Sequence, residues 1–261
     1  MNIAFIGLGG VGGYYGARMA QLAKQKEELN VYFIARNKHL DAIKQNGLRV
    51  KYRSGEELVS HPTLVTENIS DLPTLDICFV SVKSYDLKNV LQQLKEKVHS
   101  HTQIIPLLNG IDIYERVRSV LTECIVYPTC VYIASYIESP GVVAQITTGS
   151  RIISGPDPVN AEHIPSEIMS LFEQLGDKFI FTENVLYEIW NKFLFISPYG
   201  LVTARNNKTI YEVYQDESLR ADVLGIMNEV LAIAEKLGID ITEETVQRNL
   251  IRAQAFPVDS T

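Results

Sequence analysis

The chain has 261 residues, of which 24 are Lys or Arg and 31 are Asp or Glu, giving a formal net charge of −7. Hydrophobic residues make up 46% of the sequence and charged residues 21%, which excludes a disordered tail, a coiled coil and a disulfide scaffold. The negative balance argues against nucleic acid or an anionic membrane as the main partner, because both require a basic surface.

Cysteine and histidine are sparse and do not form a metal-binding pattern. Cys78, Cys124 and Cys130 are expected to be buried free thiols in a reducing compartment. His99 and His101 are typical of a solvated turn, and the other histidines are isolated in the sequence. No apolar stretch reaches the roughly 18 residues of a membrane span, and no basic region precedes the apolar N-terminus. The sequence predicts a cytoplasmic protein without a metal site.

The first 120 residues alternate apolar strands with helical segments. The predicted elements are a strand at Met1–Gly7, a helix at Gly12–Lys26, a strand at Val31–Ala35, a helix at Asn37–Asn46, β-type alternation over Leu48–Val65, a strand at Asp76–Val82, a helix at Tyr85–Val98, a strand at Gln103–Leu108 and a helix at Asp112–Leu121. This order predicts right-handed crossovers and a parallel, doubly wound sheet.

The pattern then changes twice. Strands are predicted at Cys124–Tyr136, Val142–Thr147, Arg151–Ser154 and Lys178–Phe181, with a helix at Ala161–Leu175 before the last of them. From residue 183 only helices are predicted, at Asn184–Ala204, Asp216–Leu237 and Glu243–Ala255. We therefore predict an α/β protein with a doubly wound N-terminal domain at residues 1–182 and an all-helical C-terminal domain at residues 183–261.

A glycine-rich loop directly follows the first predicted strand. It fits the pattern G-x-G-x-x-G and consists of Gly7, Leu8, Gly9, Gly10, Val11 and Gly12. Gly7 would permit a tight turn, Gly9 a close approach of the backbone to a pyrophosphate, and Gly12 the packing of the helix on the strand. The helix that follows would offer its N-terminal N–H groups to phosphates. The loop predicts dinucleotide binding, the alternative being a turn that binds nothing.

The end of the second predicted strand bears on which dinucleotide is bound. An NAD site usually has an acidic residue there, but Arg36 follows Gly12 by 24 residues in this chain. Arg36 could hold a ribose 2′-phosphate bidentately, with Lys38 adding charge. The arrangement favours NADP(H), and the alternative is an ordinary solvated basic turn.

Two more predicted strands end in polar residues. Lys83 follows the third buried strand and could reach the ribose or phosphates of the cofactor. Asn109 follows the next strand and could form a hydrogen bond near the nicotinamide and the substrate, although Asn-Gly is also a common turn dipeptide.

Taken in order, these motifs resemble the ketopantoate reductase family (2-dehydropantoate 2-reductases) over essentially the whole chain. The motifs are Gly7–Gly12, Arg36, Val82-Lys83-Ser84, Leu108-Asn109-Gly110, the hairpin at Pro140-Gly141 and the helix with Tyr187-Glu188-Ile189-Trp190-Asn191-Lys192. The resemblance implies an N-terminal Rossmann-type domain, a helical second domain and a cleft between them. It also implies NADPH-dependent reduction of ketopantoate to pantoate, in pantothenate and coenzyme A synthesis.

The resemblance further implies roles for individual residues. Lys192 matches the catalytic lysine of the family, Asn109 its active-site asparagine and Lys83 its cofactor-contacting lysine. An ammonium at Lys192 would stabilise the charge that hydride delivery builds on the carbonyl oxygen and would donate the proton. Without the family context, Lys192 would be read as a surface partner of Glu188 four residues earlier.

The sequence departs from the family at three places. Ile196 and Gly200 occupy positions where family members often carry asparagines that contact substrate. Pro198 is expected to kink the helix that carries them. The substrate-binding serine and the catalytic glutamate of the family are expected just beyond Thr261, so the second domain is expected to be incomplete.

Four functions therefore remain open. The first is reduction of ketopantoate, and the second is reduction of a different keto acid, as Ile196 and Gly200 suggest. The third is an NADP(H)-binding sensor without turnover, and the fourth is hydride chemistry on a β-hydroxyacid. The expected partners are small molecules, and the helices of the second domain could pack internally or across a homodimer.

Overall fold

The computed structural model describes residues 1–256. Its contacts divide the chain into two compact units, Met1–Val185 and Leu186–Thr261. The first unit combines strands and helices, and the described part of the second unit is helical. The predicted domain boundary, between residues 182 and 183, lies three residues before this division.

The first unit contains all the strands of the described chain. They are β1 (Asn2–Ile6), β2 (Asn30–Ile34), β3 (Leu48–Lys51), β4 (Glu57–Ser60), β5 (Leu64–Thr66), β6 (Ile77–Val80), β7 (Gln103–Pro106), β8 (Ile125–Val126), β9 (Thr129–Tyr132), β10 (Ser135–Ser139), β11 (Val142–Gln145), β12 (Arg151–Ser154) and β13 (Lys178–Phe181). Its α-helices are α1 (Gly10–Ala23), α2 (Asn37–Asn46), α3 (Leu87–Leu94), α4 (Ile113–Arg118) and α5 (Ser166–Leu175).

Six strands form a parallel sheet in the order β5-β2-β1-β6-β7-β8, which confirms the predicted α/β class. In the register of the sheet, Ile3 of β1 lies between Val31 of β2 and Ile77 of β6. The chain first winds from β1 to β2 and later returns to the opposite side of β1 to form β6. The strand order therefore reverses beside β1, which is where doubly wound sheets bind their ligands.

Hydrophobic cores cover both faces of this sheet, because alternate residues of a strand point to opposite sides. Phe5 belongs to the core that includes residues of α1 and α5, and its ring stacks on Phe79 at a centroid distance of 4.7 Å. Ala4 and Ile6 belong to the second core, with residues of α3 and α4. This double burial explains why the strands are continuously apolar.

The remaining strands form two smaller sheets, β10-β11-β3-β4 and β13-β12-β9. The predicted β segment Leu48–Val65 is thereby divided between sheets. β3 and β4 pair antiparallel around a turn in which Gly55 has φ +91°, whereas β5 pairs with β2 in the parallel sheet. Pro62 lies between β4 and β5, and its fixed φ and missing N–H interrupt the hairpin strand.

The second unit contains α6 (Val185–Asn206), α7 (Ile210–Gln215), α8 (Glu217–Lys236) and α9 (Glu243–Arg252), of which α6 begins on the last residue of the first unit. The short helix α7 is absent from the sequence prediction and begins with a capping box between Thr209 and Glu212. Helix α6 continues as one element past Pro198. None of the helices at residues 1–256 is long and apolar enough to cross a membrane.

Candidate functional site

The candidate cofactor residues of the first unit follow four neighbouring strands of the parallel sheet. The glycine loop follows β1, Arg36 follows β2, Lys83 follows β6, and Asn109 follows β7. These strands are adjacent and parallel, so their carboxyl ends lie along one edge of the sheet. This edge includes the position where the strand order reverses.

The start of the glycine loop is held by two neighbouring strands. The Gly7 N–H donates to the Ile34 carbonyl oxygen at 3.1 Å, and the Ser81 Oγ donates to the Gly7 carbonyl oxygen at 2.6 Å. Gly7 has φ +93°, a conformation that favours glycine. A Cβ on Gly12 would lie 2.1 Å from both the Gly7 oxygen and the Ser81 Oγ. Packing alone therefore requires glycine at both positions.

The middle of the loop is different. A Cβ on Gly10 would lie 2.1 Å from the Ser135 carbonyl oxygen, so this glycine is also required by packing. A Cβ on Gly9 would meet no atom of the described residues within 4 Å, apart from its neighbours in the chain. Its backbone is extended, with φ −68°, a region that other residues adopt. Open space above Gly9 is what a pyrophosphate passing close to the backbone needs.

Gly9 occupies the N-cap position of α1, so the open space lies at the start of this helix. Within residues 1–256 no side chain caps this helix, and its first turn carries no acidic residue. The first N–H groups of a helix lack intrahelical partners, and the helix dipole makes this end positive. The loop and the helix start therefore fit a dinucleotide pyrophosphate.

Arg36 forms an ion pair that the sequence prediction missed. Its Nη1 lies 3.7 Å from the Asp86 Oδ2, and the two side chains are 49% and 37% exposed. Asp86 immediately precedes α3, three residues after Lys83. Asn37, which follows Arg36, has φ +53°, a value that is uncommon for residues other than glycine. The end of β2 thus presents the Arg36 guanidinium, whose positive charge is partly compensated by the Asp86 carboxylate.

Lys83 and Asn109 are both exposed at the sheet edge. The Lys83 carbonyl oxygen accepts a hydrogen bond from the Asp86 N–H at 2.9 Å, which closes the turn between β6 and α3. Asn109 precedes Gly110, whose φ of +140° lets the chain turn away from β7. Their exposure at this edge is compatible with the roles proposed from the sequence.

His39 of α2 contacts the turn between β10 and β11. Its Nδ1 accepts a hydrogen bond from the Gly141 N–H at 2.9 Å, although the two residues are 102 positions apart. Burial lowers the pKa of His39 below the usual 6.5, and the nearby Leu8 backbone raises it to a smaller extent. His39 is isolated in the sequence, so no pattern could have indicated this contact.

The first unit also has a cavity of about 570 Å³ away from this edge, lined by residues of α1, β4 and α5. Arg18, on its wall, donates to Asp177 at 2.6 Å, to the Tyr52 hydroxyl at 3.0 Å and to the Leu175 carbonyl oxygen. Its guanidinium is thus used to connect elements of the fold.

In the second unit, Lys192 lies half-buried on α6. The preceding residue, Asn191, accepts a hydrogen bond from the buried Asn249 of α9 at 2.7 Å. Asn191 and Asn249 line a cavity of about 470 Å³ together with two arginines of α9, Arg248 and Arg252. Two guanidinium-bearing residues and the Asn191–Asn249 pair thus line a cavity next to the residue that precedes Lys192.

The two positions that depart from the family pattern also lie on α6. Ile196 is half-buried, whereas Gly200 is exposed and a Cβ there would meet no described atom within 4 Å apart from the helix itself and its neighbours. Tyr199 is buried, and its hydroxyl donates to the Leu250 carbonyl oxygen at 3.1 Å, so it does not replace the missing asparagines. Glycine inside a helix costs about 1 kcal/mol relative to alanine. Among residues 1–256, no packing contact explains that cost at Gly200.

Comparison with known proteins identifies the family. The model of the family "Ketopantoate reductase PanE/ApbA" matches residues 3–157, and the model of its C-terminal domain matches residues 184–258. The oxidoreductase YkpB of Bacillus subtilis is 24% identical over 240 residues, covering 92% of this chain and 76% of that protein. The 2-dehydropantoate 2-reductase of Mesorhizobium japonicum is 24% identical over 259 residues, with 92% and 77% covered.

Solved structures agree with this assignment. The crystal structure of 2-dehydropantoate 2-reductase from Porphyromonas gingivalis superposes with a TM-score of 0.86 at 29% identity, covering 98% of this chain and 89% of that one. The resemblance inferred from the motifs is thereby confirmed. The chain belongs to the ketopantoate reductase family and is an oxidoreductase of that family.

Proposed function

We propose that this protein reduces a 2-keto acid with a reduced nicotinamide dinucleotide, preferentially NADPH, and that its substrate is ketopantoate, which is converted to pantoate for pantothenate and coenzyme A synthesis. The observation that carries the proposal is the glycine loop at the reversal of the strand order, with open space above Gly9 and an N-terminus of α1 that no described side chain caps. Membership of a reductase family supports the reaction type.

The cofactor, when bound, supplies the hydride. The N–H groups at the start of α1 bind its pyrophosphate, because an anion is stabilised there by both hydrogen bonds and the helix dipole. Arg36 binds the ribose 2′-phosphate, since a guanidinium can donate two parallel hydrogen bonds to one phosphate. Lys83, after β6 on the other side of β1, adds positive charge toward the ribose and phosphates.

Lys192 and Asn109 act on the substrate. Lys192 donates a hydrogen bond to the keto oxygen, stabilises the negative charge that develops there and transfers a proton to it. Asn109 donates from its amide to hold the substrate near the nicotinamide. Neither residue needs to form a covalent bond with the substrate in this scheme.

The test is to incubate purified protein with NADPH and ketopantoate and to measure NADPH oxidation together with pantoate formation. Lys192→Ala should lower kcat by about 10²- to 10⁴-fold, the usual contribution of a positioned acid, with NADPH affinity unchanged. Lys236→Ala, which removes an exposed lysine at the end of α8, is the matched control and should leave kcat unchanged. Full activity in Lys192→Ala would reject the acid assignment.

A second candidate is reduction of a keto acid with a different side chain. Ile196 and Gly200 favour it, because they replace hydrogen-bonding side chains by an apolar group and by open space. A panel of 2-keto acids of increasing apolar size should then give a higher kcat/KM than ketopantoate does. Tight NADPH binding with no turnover of any member of the panel would instead indicate a sensor.

A further inference from the structure

We propose that Asp86 is a specificity-determining residue for the adenosine ribose, and that it limits the preference of this chain for a 2′-phosphate over a 2′-hydroxyl. The proposal rests on the proposed dinucleotide function and deepens it. Asp86 lies at the sheet edge that carries the candidate site, but it belongs to none of the motifs on which the family resemblance rests.

The position of Asp86 points to a role beyond its own helix. Aspartate immediately before a helix usually accepts hydrogen bonds from the N–H groups of the first turn. Asp86 makes no such cap, and its backbone is already in the helical region, with φ −87° and ψ −15°. Its carboxylate instead lies 3.7 Å from the Arg36 guanidinium.

The backbone fixes both members of this pair. The Asp86 N–H donates to the Lys83 carbonyl oxygen at 2.9 Å, and its own carbonyl oxygen accepts from the Val90 N–H at 3.1 Å. Arg36 immediately precedes α2, and its carbonyl oxygen accepts from the Leu40 N–H at 3.3 Å. The two side chains therefore approach each other across the end of β1, from the strands on either side of it, β2 and β6.

The chemistry of this pair differs for the two forms of the ribose. A 2′-phosphate can bind the half-exposed Arg36 guanidinium, but the Asp86 carboxylate then repels the phosphate at short range. A 2′-hydroxyl is a hydrogen-bond donor, for which a carboxylate is the usual acceptor in NAD sites. Asp86 supplies that carboxylate from the β6 side, whereas NAD sites usually carry it at the end of β2, where this chain has Arg36.

The experiment isolates the 2′-phosphate by using fragments of the cofactor. The dissociation constants of 2′,5′-ADP and 5′-ADP are measured by calorimetry for the wild-type protein, Asp86→Asn and Asp86→Ala. Both variants should increase the preference for 2′,5′-ADP by about tenfold, the effect of one charge near hydrogen-bond range in a partly exposed site. The increase should shrink at high salt, because the pair is exposed to solvent.

Asp41→Asn is the matched control, since it removes the same charge from an exposed position on α2. The preference of Asp41→Asn for 2′,5′-ADP over 5′-ADP should stay within about twofold of that of the wild type. An unchanged preference in both Asp86 variants, with both probes still bound, would overturn the inference and leave the dinucleotide function standing. Failure of the wild-type protein to bind either fragment, NADPH or NADH would overturn both proposals.

Discussion

The glycine loop allows folding and cofactor binding to be separated by two substitutions of the same size. In Gly12→Ala the new methyl group would lie 2.1 Å from the Gly7 carbonyl oxygen, a backbone atom that cannot rotate away. Relieving this overlap requires α1 to move from β1 and disturbs the hydrogen bond between Ser81 and Gly7. Overpacking and one lost hydrogen bond together predict a loss of about 2–4 kcal/mol in the free energy of unfolding.

Gly9→Ala should behave in the opposite way. Its methyl group meets no atom of residues 1–256 within 4 Å beyond its chain neighbours, and the backbone at Gly9 is already extended. Alanine is a poorer residue than glycine before a helix, but it also restricts the unfolded chain, and the two effects largely offset each other. We expect the free energy of unfolding to change by less than about 1 kcal/mol. The Kd for NADPH should rise at least about tenfold, or about 1.4 kcal/mol, because the methyl group blocks the pyrophosphate.

Urea unfolding followed by circular dichroism measures stability, since the single tryptophan, Trp190, lies in the second unit. Nicotinamide fluorescence measures NADPH binding. Gly225→Ala, in open space on α8, is the control and should stabilise the protein by about 0.5–1 kcal/mol without affecting NADPH binding. Wild-type affinity in Gly9→Ala would refute the assigned pyrophosphate path, and wild-type stability in Gly12→Ala would refute the packing argument.

Three further predictions concern stability. Asp157→Asn breaks a buried ion pair with Arg118 and should cost about 3 kcal/mol in urea unfolding. Burial raises the pKa of Asp157, but hydrogen bonds outweigh this effect and hold that pKa below 3.8. The stabilising contribution of the Asp157 carboxylate is therefore present above pH 3.8 and should be lost on further acidification. An Asp157→Asn variant as stable as the wild type would contradict the stabilising role of this ion pair. Burial lowers the pKa of His39 below 6.5, so the unfolded chain takes up the proton more readily, and stability should fall as the pH drops from 6.5 through the folded pKa. His39→Gln should flatten that part of the urea profile, and an unchanged slope would count against the argument. Tyr199→Phe removes the hydrogen bond to the Leu250 carbonyl oxygen and should cost about 1 kcal/mol, whereas a neutral result would mean that this bond is replaced.

Local patterns were sufficient to predict most of the elements. The predicted helix Asn37–Asn46 and the strands Arg151–Ser154 and Lys178–Phe181 coincide with α2, β12 and β13. Apolar periodicity and a terminal glycine, such as Gly47 after α2, are properties of neighbouring residues and need no tertiary partner. The six-residue α7 was missed because so short a helix has too few apolar positions for a period to be recognised.

Some features of the site could also be predicted from sequence. The glycine loop and the strand ends at Arg36, Lys83 and Asn109 were placed along one sheet edge, because parallel strands expose their carboxyl ends together. The functions of Lys192 and Asn109 remain predictions, and Lys192→Ala tests the first of them. Ser81 and Asp86 were missed, since a serine at a strand end and an aspartate before a helix have many ordinary uses.

The sequence by itself determined most of the order of elements, the dinucleotide motif and the family, because these depend on residue types at short, regular spacings. Tertiary structure alone decided that β5 leaves the hairpin for the parallel sheet, that Asp86 faces Arg36, and that His39 accepts a hydrogen bond from Gly141. Each of these contacts joins residues far apart in the chain, and their free energy depends on burial and geometry that exist only after folding. The same holds for the difference between Gly9 and Gly12, which only the positions of surrounding atoms reveal.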